Sequence, residues 1–219
     1  MKKTKVKICC IKNIEEAELA ISFGASAIGL VSEMPSGPGV ISDESIIEIS
    51  NYASGKVDTF LLTSKQDSDS IIQQLKKYKT TTVQIVDKLT NGSYADIKLA
   101  LPSIKIIQVL HVNNDISIDE VKEIENEVDA ILLDSGNDKL FIKELGGTGR
   151  THDWSVSKRI VETVNIPIYL AGGLNPSNVA EAVKTVKPYS VDACSGVRTN
   201  NKLDKNKLTK FFNSLNSIN

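Results

Sequence analysis

Short apolar runs rich in β-branched residues alternate along this chain with amphipathic stretches that open on helix-capping residues. The runs predict eight strands, at 5–11, 27–32, 58–64, 81–87, 104–112, 130–135, 167–173 and 190–196. The stretches between and after them predict eight helices, at 14–24, 41–53, 67–78, 92–101, 118–128, 154–164, 175–186 and 204–215. Asn13, Ser42 and Asp153 stand where they can cap three of these helices.

The apolar strands are continuous rather than alternating, which is typical of parallel strands covered on both faces. Eight strands alternating with eight helices favour the α/β class and, within it, a (βα)8 TIM barrel formed by a single domain over 1–219. An open doubly wound sheet is the alternative. It would normally have fewer strands and a glycine-rich turn after the first one, where this chain has KICCIKN.

Composition and charge narrow the classes of partner. The chain has 219 residues, of which 41% are hydrophobic and 24% charged, and a net charge of -1. This balance gives no reason to expect nucleic acid or an anionic membrane as a partner. We find no signal peptide and no long apolar run, so we expect a cytoplasmic protein. Three cysteines without zinc or C-x-x-C spacing predict neither a disulfide framework nor a metal site.

Three glycine-containing turns follow the last three predicted strands. In a TIM barrel the loops after the strands converge on one face, and glycine there lets backbone amides approach an anion closely. A single glycine commonly does no more than permit a turn, but three such turns together favour a phosphate site. Its predicted residues are Gly147, Thr148, Gly149, Gly172, Gly173, Ser195 and Gly196.

Two further strand ends carry side chains suited to proton transfer. Asp134 ends the apolar run of the sixth strand, so its carboxyl is either a structural cap or a proton donor with a raised pKa. Cys9 is by default a small buried hydrophobe and becomes a thiolate base only in a positive local field, such as that of Lys7. Structural roles are the simpler interpretation of Asp153 and Asp192. The same holds for His111 and His152, which have no partner in the sequence.

Several longer motifs then resemble the phosphoribosylanthranilate isomerase family of tryptophan biosynthesis. They are KIC with NIEEAELAISFGASAIGLV, LLDS, GGTGRTHDW, LAGGLNPSNVAEAV and VDACSGV, and the similarity extends over nearly the whole chain. The resemblance implies a cofactor-free TIM barrel that performs an Amadori rearrangement of a small phosphosugar substrate. It also implies that Cys9 is the general base, that Asp134 is the general acid and that the glycine turns hold the phosphate.

Four positions differ from that family's usual pattern. Cys10 replaces a glycine, Gly39 replaces an arginine suited to the anthranilate carboxylate, Val86-Asp87 replaces His-Gly, and Arg198 replaces a glutamate. All but the first affect the side expected to bind the anthranilate. One hypothesis is that Arg198 supplies the missing cation, so Arg198 and Asp87 are candidate residues on that side.

These differences leave two alternatives to the phosphoribosylanthranilate isomerase. One is an isomerase of a different phosphosugar, with the same acid, base and phosphate site. The other is a non-catalytic barrel that binds a phosphorylated metabolite, against which the retained Cys9 and Asp134 argue. The sequence allows either a monomer or a homodimer.

Overall fold

The protein is described by a computed structural model that covers residues 3–112, 118–135 and 151–218. Its strands are β1 (Lys5–Ile8), β2 (Ala27–Val31), β3 (Asp58–Thr63), β4 (Thr82–Ile85), β5 (Lys105–His111), β6 (Ala130–Asp134), β7 (Ile168–Leu170), β8 (Ser190–Ala193), β9 (Arg198–Thr199) and β10 (Lys202–Leu203). Its helices are α1 (Ile14–Ser22), α2 (Asp43–Ala53), α3 (Ser68–Tyr78), α4 (Tyr94–Ala100), α5 (Ile118–Glu125), α6 (Trp154–Thr163), α7 (Val179–Val186) and α8 (Lys205–Asn216).

Strands β1 to β8 form a closed barrel in sequence order, with every neighbouring pair parallel. The predicted (βα)8 TIM barrel is therefore confirmed. Strand β1 closes the barrel against β8, with Lys7 opposite Asp192. On β6, Asp134 lies opposite His111 of β5. The prediction that all of 1–219 is one domain stays a prediction.

Two apolar layers form because alternate residues of a strand point to opposite faces. Ile8 of β1 and Ile28 of β2 pack outward among the helices. Phe60, Leu132 and Tyr169 pack in a separate cluster inside the barrel, with Cys9 at its edge. Lys7 and Cys9 are two residues apart in sequence, so both side chains point into the barrel.

Helix capping follows the predicted pattern. The side chains of Asn13, Ser42 and Asp153 accept hydrogen bonds from the first-turn amides of α1, α2 and α6. Ser93 and Asp96 form a reciprocal capping box at the start of α4. Among the residues that the structure describes, no helix is both long enough and apolar enough to cross a membrane.

Two features differ from the predicted elements. The first strand ends at Ile8 rather than at residue 11, because Cys10 has a φ of 62° and turns the backbone out of the extended conformation. A short hairpin, β9 with β10, follows β8 where we predict only a connection to α8. Its turn residues, Asn200 and Asn201, both have positive φ, which asparagine tolerates better than most residues.

Candidate active site

A cavity opens at the carboxyl ends of the barrel strands, where the fold is expected to carry its function. It is lined by the ends of β1, β4, β6, β7 and β8 and by the loop after β2. The lining residues are Cys9, Cys10, Val31, Met34, Ser36, Gly37, Pro38, Leu62, Gln84, Val86, Asp134, Ala171, Gly172, Gly173, Leu174, Asp192, Cys194 and Ser195. The structure thus brings both predicted proton-transfer residues, Cys9 and Asp134, into one cavity.

A buried ion pair lies on the side of this cavity where Cys9 is found. Lys7 is 0% exposed, and its Nζ lies 2.6 Å from Oδ2 of Asp192. Burial by itself lowers the pKa of Lys7, but attraction to Asp192 and Cys9 outweighs burial, so the pKa is raised and the ammonium stays charged. The other carboxylate oxygen, Oδ1 of Asp192, has no hydrogen-bond partner among the residues that the structure describes. The pair therefore fixes a positive charge close to Cys9.

The Cys9 thiol has a lowered pKa, as a general base requires. A hydrogen bond with the Cys10 thiol makes the largest contribution; burial opposes it, and attraction to Lys7 adds to it. Space for the sulfur comes from Gly29 on β2, because a Cβ at that position would lie 2.7 Å from Cys9 Sγ. A structural role as a small buried hydrophobe therefore does not describe Cys9 fully.

The Asp134 carboxyl has its pKa shifted in the opposite direction. Loss of surrounding water raises its pKa, and repulsion from Asp192 adds to the rise. The Ser135 amide donates a hydrogen bond of 2.7 Å to Oδ1, which with the charge of Lys7 partly opposes the rise. The result is a carboxyl that keeps its proton to higher pH than a solvated aspartate does.

Glycines after β7 and β8 shape the neighbouring wall. Gly172 and Gly173 have φ values of 85° and 61°, and a Cβ on Gly172 would lie 2.9 Å from Ser135 Cβ. Gly196 does not line the cavity; it lets the chain pack on the next loop, since its Cβ would lie 2.0 Å from the Leu174 carbonyl oxygen. Ser195 begins a short 3₁₀ helix, Ser195–Val197. The predicted phosphate residues Gly147, Thr148 and Gly149 lie outside the described residues.

Comparison with known proteins decides the family. The model of the family described as N-(5'phosphoribosyl)anthranilate (PRA) isomerase matches residues 6–214. The chain belongs to this isomerase family. An N-(5'-phosphoribosyl)anthranilate isomerase from Methanosarcina acetivorans is 35% identical to it, over 96% of this chain and 92% of the relative. A second such protein from Methanosarcina mazei is 37% identical, over 90% of this chain and 87% of the relative.

Solved structures of isomerases in this family have the same fold. The enzyme from Thermotoga maritima matches with a TM-score of 0.78 and 27% identity, over 98% of this chain and 99% of that one. A second phosphoribosyl anthranilate isomerase, solved in complex with reduced 1-(o-carboxyphenylamino)-1-deoxyribulose 5-phosphate, matches with a TM-score of 0.75 and 25% identity, over 98% and 99% of the two chains.

Cys10 and Gly39, two of the departures from the family pattern, are neighbours in space. A Cβ on Gly39 would lie 2.5 Å from Cys10 Cβ and 2.9 Å from Cys10 Sγ. The Cys10 side chain therefore occupies room that a side chain at position 39 would need. Because Cys10 also has a left-handed φ of 62°, the usual glycine at this position is the less strained residue. The two substitutions compensate for each other sterically.

Arg198 does not occupy the position that we expect for an aglycone-binding cation. Its guanidinium is directed behind the cavity wall, where Nη1 and Nη2 lie 2.9 and 3.0 Å from the two carboxylate oxygens of Glu16. Nη2 also donates to the carbonyl oxygens of Cys9 and Cys10, at 3.2 and 2.6 Å. Arg198 thus ties the segment that carries Cys9 to the hairpin after β8, and it is not a lining residue of the cavity.

Asp87, the other candidate on the aglycone side, also lies outside the lining. It is buried, and its Oδ1 accepts a hydrogen bond of 2.8 Å from the Lys88 amide. Gln84 and Val86 line the cavity from the same segment, and Gln84 Oε1 is a buried acceptor that has no partner within the described part of the chain. Arg198 and Asp87 therefore make structural contacts, and a role of either residue on the aglycone side stays a prediction.

Sequence reasoning missed three features of the site: the Lys7–Asp192 pair, the contact of Cys10 with Gly39, and the place of Cys194 at the cavity. Only the first had a signal in the sequence, because Lys7 and Cys9 share one face of a strand. The register of β1 against β8, which brings Asp192 opposite Lys7, is visible only in the closed barrel.

Proposed function

We propose that this protein catalyses the isomerisation of N-(5'-phosphoribosyl)anthranilate in tryptophan biosynthesis, with Cys9 as general base and Asp134 as general acid. One observation carries the proposal: Cys9 and Asp134 line one cavity, and their pKa values are shifted in opposite directions. A base must lose its proton and an acid must keep it, so environments that separate the two pKa values suit the two roles.

The reaction needs only proton transfers and no change of oxidation state overall. Asp134 donates a proton to the ribose ring oxygen, the ring opens, and the nitrogen lone pair forms an iminium at C1′. Cys9 then removes the C2′ proton, and the electrons of that C–H bond flow to the iminium and give an enolamine. Tautomerisation of the enolamine yields the 1-amino-1-deoxyketose. An acid and a base are sufficient for these steps, so we propose that no cofactor is required.

Lys7 and Asp192 support the base in this scheme. Lys7 remains cationic inside the barrel because Asp192 neutralises it at 2.6 Å, and its charge favours the Cys9 thiolate. Burial alone would raise the pKa of a thiol and leave it protonated. The ion pair is therefore a positioning and charge-setting element for proton removal from C2′.

The substrate phosphate binds in our proposal at the turns after β7 and β8. Gly172, Gly173 and Ser195 line the cavity there, and the two glycines have positive φ. Glycine turns of this kind let backbone amides come close to an anion. Gly196 supports this wall through its close packing on Leu174. Residues Gly147, Thr148 and Gly149 belong to the proposed site on the strength of the family motif.

The aglycone side is the divergent part of the proposed site. The loop after β2 contributes Met34, Ser36 and Pro38, an apolar and weakly polar surface that can pack on an aromatic ring. Gly39 provides no guanidinium for the anthranilate carboxylate, and Arg198 is paired with Glu16. We therefore expect weaker substrate binding than in members of the family that have the arginine, by about 1.5–3 kcal/mol for one lost charged hydrogen bond.

Recombinant protein and enzymatically generated phosphoribosylanthranilate provide the test, followed through the loss of substrate fluorescence. We expect turnover by the wild type and losses of at least about 100-fold in Cys9→Ser and Asp134→Asn, which keep the size of each side chain. Leu99→Ala, which changes an exposed side chain of α4 outside the cavity lining, is the control. Full activity in either of the first two variants would rule out its assigned role.

A second candidate is an isomerase of another phosphosugar. Two observations favour it: Gly39 supplies no cation for an anthranilate carboxylate, and Arg198 is paired with Glu16. It predicts no turnover of the anthranilate compound, together with turnover of ribose or ribulose phosphates followed by NMR. Binding of these compounds without chemical change would instead indicate a non-catalytic phosphometabolite-binding barrel.

We further propose a cytoplasmic protein without nucleic acid or membrane partners, either monomeric or homodimeric. The Thermotoga maritima enzyme, described as dimeric, has also been solved as engineered monomers, and that form matches this chain with a TM-score of 0.75 and 24% identity over 98% of this chain and 99% of that one. Sedimentation of the purified protein distinguishes the two states.

A further inference from the structure

Two cysteine sulfurs meet at the cavity wall beside Cys9. Cys194 follows β8 directly and Cys10 follows Cys9, and their Sγ atoms lie 2.7 Å apart. Both residues line the cavity, both are present as free thiols, and Cys194 is the more exposed of the two. Although 184 residues separate them in sequence, the closure of the barrel between β1 and β8 brings them together.

We propose that Cys10 and Cys194 are an oxidation site that closes to a reversible disulfide when a peroxide enters the cavity. Neither thiol is the proposed base or the proposed acid of the isomerisation, so the bond itself does not depend on the proposed function. The effect of the bond on activity rests on the proposed function, because the disulfide would form next to the proposed base.

The geometry favours a bond between these two cysteines. A disulfide has an S–S distance of about 2.05 Å, so closing it from 2.7 Å requires a sulfur displacement of well under 1 Å. Cys10 and Cys194 both lie just beyond the ends of their strands, so side-chain and loop adjustments can provide this movement without breaking the barrel.

The adjacent pair, Cys9 and Cys10, is a less favourable alternative. Consecutive Cα atoms are about 3.8 Å apart, whereas disulfides usually join Cα atoms about 4.4–6.8 Å apart. Cys9 Sγ is also packed against Gly29 of β2. The Cys10 sulfur is therefore better placed to bond to Cys194 than to its neighbour in sequence.

The chemistry balances with a peroxide as the two-electron oxidant. One sulfur attacks the peroxide, takes an oxygen atom as sulfenic acid and releases hydroxide, or alkoxide from an organic peroxide. The second sulfur displaces hydroxide from the sulfenic acid and forms the S–S bond. With hydrogen peroxide, two thiols and one peroxide give one disulfide and two waters, and a dithiol reductant reverses the change.

Disulfide formation changes the surroundings of Cys9 in a defined way. Cys10 adjoins Cys9 in the chain, and its thiol makes the largest contribution to the lowered pKa of Cys9 in the reduced protein. A sulfur in a disulfide has no proton to donate, so this contribution is lost on oxidation. The bond also links the segment after β1 to the segment after β8, on which Ser195 lies. Oxidation should therefore lower isomerase activity, and reduction should restore it.

The experiment treats the full-length protein with stoichiometric hydrogen peroxide and counts its thiols after unfolding. We expect the count to fall from three to one and to return to three with dithiothreitol. Peptide mass spectrometry should link the segment that contains Cys9 and Cys10 to the segment that contains Cys194. Because trypsin cuts after Lys7 and Lys12, it leaves Cys9 and Cys10 in one peptide, so the assignment needs variants.

Three variants make that assignment. Cys9→Ser should still form the linkage, whereas Cys10→Gly and Cys194→Ser should not; glycine at position 10 suits its left-handed φ and should fold. An unchanged thiol count in the wild type, or a Cys9–Cys10 bond, overturns the proposal. Linkage with unaltered turnover keeps the oxidation site and rejects only its effect on activity.

Discussion

The two sides of the cavity differ in how they shift a pKa. On the side of Cys9, the proposed base, the pKa is lowered; on the side of Asp134, the proposed acid, it is raised, and the physical causes differ. Cys9 lies among charged and polar groups: Lys7 and Asp192 below it, the Cys10 thiol beside it, and the Arg198 guanidinium on its carbonyl. Asp134 has one short backbone hydrogen bond and is otherwise governed by burial. A thiol needs nearby positive charge or hydrogen-bond donors to lose its proton, whereas a carboxyl retains its proton when water is removed.

Asp134→Asn should have the largest effect on activity, because it removes the carboxyl that we propose as the general acid. We expect a fall in kcat/KM of about 10²–10⁴-fold with little change in stability. The measurement is steady-state kinetics together with urea unfolding. A loss of activity matched by a loss of fold would show that Asp134 is structural.

Among changes near Cys9, Lys7→Met should lower the free energy of unfolding most, because it leaves the Asp192 carboxylate buried without its partner. We expect a loss of about 3–5 kcal/mol in the free energy of unfolding, measured with urea. The double variant Lys7→Met with Asp192→Leu should recover much of this loss. If the loss in the double variant equals the sum of the losses in the two single variants, the two charges are not coupled.

Arg198→Met tests whether the contacts of Arg198 with Glu16 and with the Cys9 and Cys10 carbonyl oxygens contribute to stability. Removal of the guanidinium leaves the carbonyl oxygens of Cys9 and Cys10 without this donor and Glu16 without its cation, which should cost about 1.5–3 kcal/mol. The Lys12 and Leu203 amides still donate to the Glu16 carboxylate. Burial tends to raise the pKa of Glu16, but the hydrogen bond from Arg198 helps to lower it below its usual value. Glu16 therefore stabilises the fold above the unfolded-state pKa, and this contribution is lost as the pH falls through the folded-state pKa.

The variant should accordingly show a smaller decline in stability on acidification than the wild type, measured by urea unfolding across the acidic range. Arg198→Lys is the matched control, since it keeps a charge but cannot make the same forked contact. An identical acid dependence in wild type and Arg198→Met would contradict this account of Glu16.

Gly39→Ala should have a smaller effect, and one that depends on Cys10. The new Cβ meets Cys10 Cβ at 2.5 Å on a left-handed backbone, so we expect a cost of about 1–2 kcal/mol or more in the wild type. In Cys10→Gly most of the steric cost should disappear, leaving the backbone cost and a contact of 3.1 Å with the Cα atom of residue 10. A double-mutant cycle of thermal or urea unfolding measures the difference. No coupling between positions 10 and 39 would refute their compensation.

The smallest expected effect is on the pH dependence of activity, which reflects the titration of Cys9 and of Asp134. Activity requires Cys9 without its proton and Asp134 with its proton, so the profile should be bell-shaped, with one limb set by a Cys9 pKa below that of an ordinary thiol and the other by an Asp134 pKa above that of an ordinary aspartate. Cys10→Gly removes the largest contribution to the lowered pKa of Cys9 and should move only the limb that Cys9 sets, to higher pH. Movement of both limbs would mean that the two groups titrate as one coupled pair.

Much of this protein was predictable because it depends on local pattern. Continuous apolar strands and amphipathic helices indicated the barrel, and Asn13, Ser42 and Asp153 marked helix starts that the structure confirms. Cys9 and Asp134 stood at strand ends, and strand ends of a TIM barrel converge on one face. The motifs identified the family, which the comparisons confirm.

The tertiary structure decided what depends on partners distant in sequence. Arg198 looked like a free cation near the cavity, yet it pairs with Glu16 across 182 residues. Lys7 meets Asp192 across 185 residues, and Cys10 meets Cys194 across 184. Each pairing arises where β8 closes on β1, and closure brings together the two ends of the chain. A charge or thiol takes its role from the nearest partner in space, and the periodicity of a strand specifies only the face to which a side chain points.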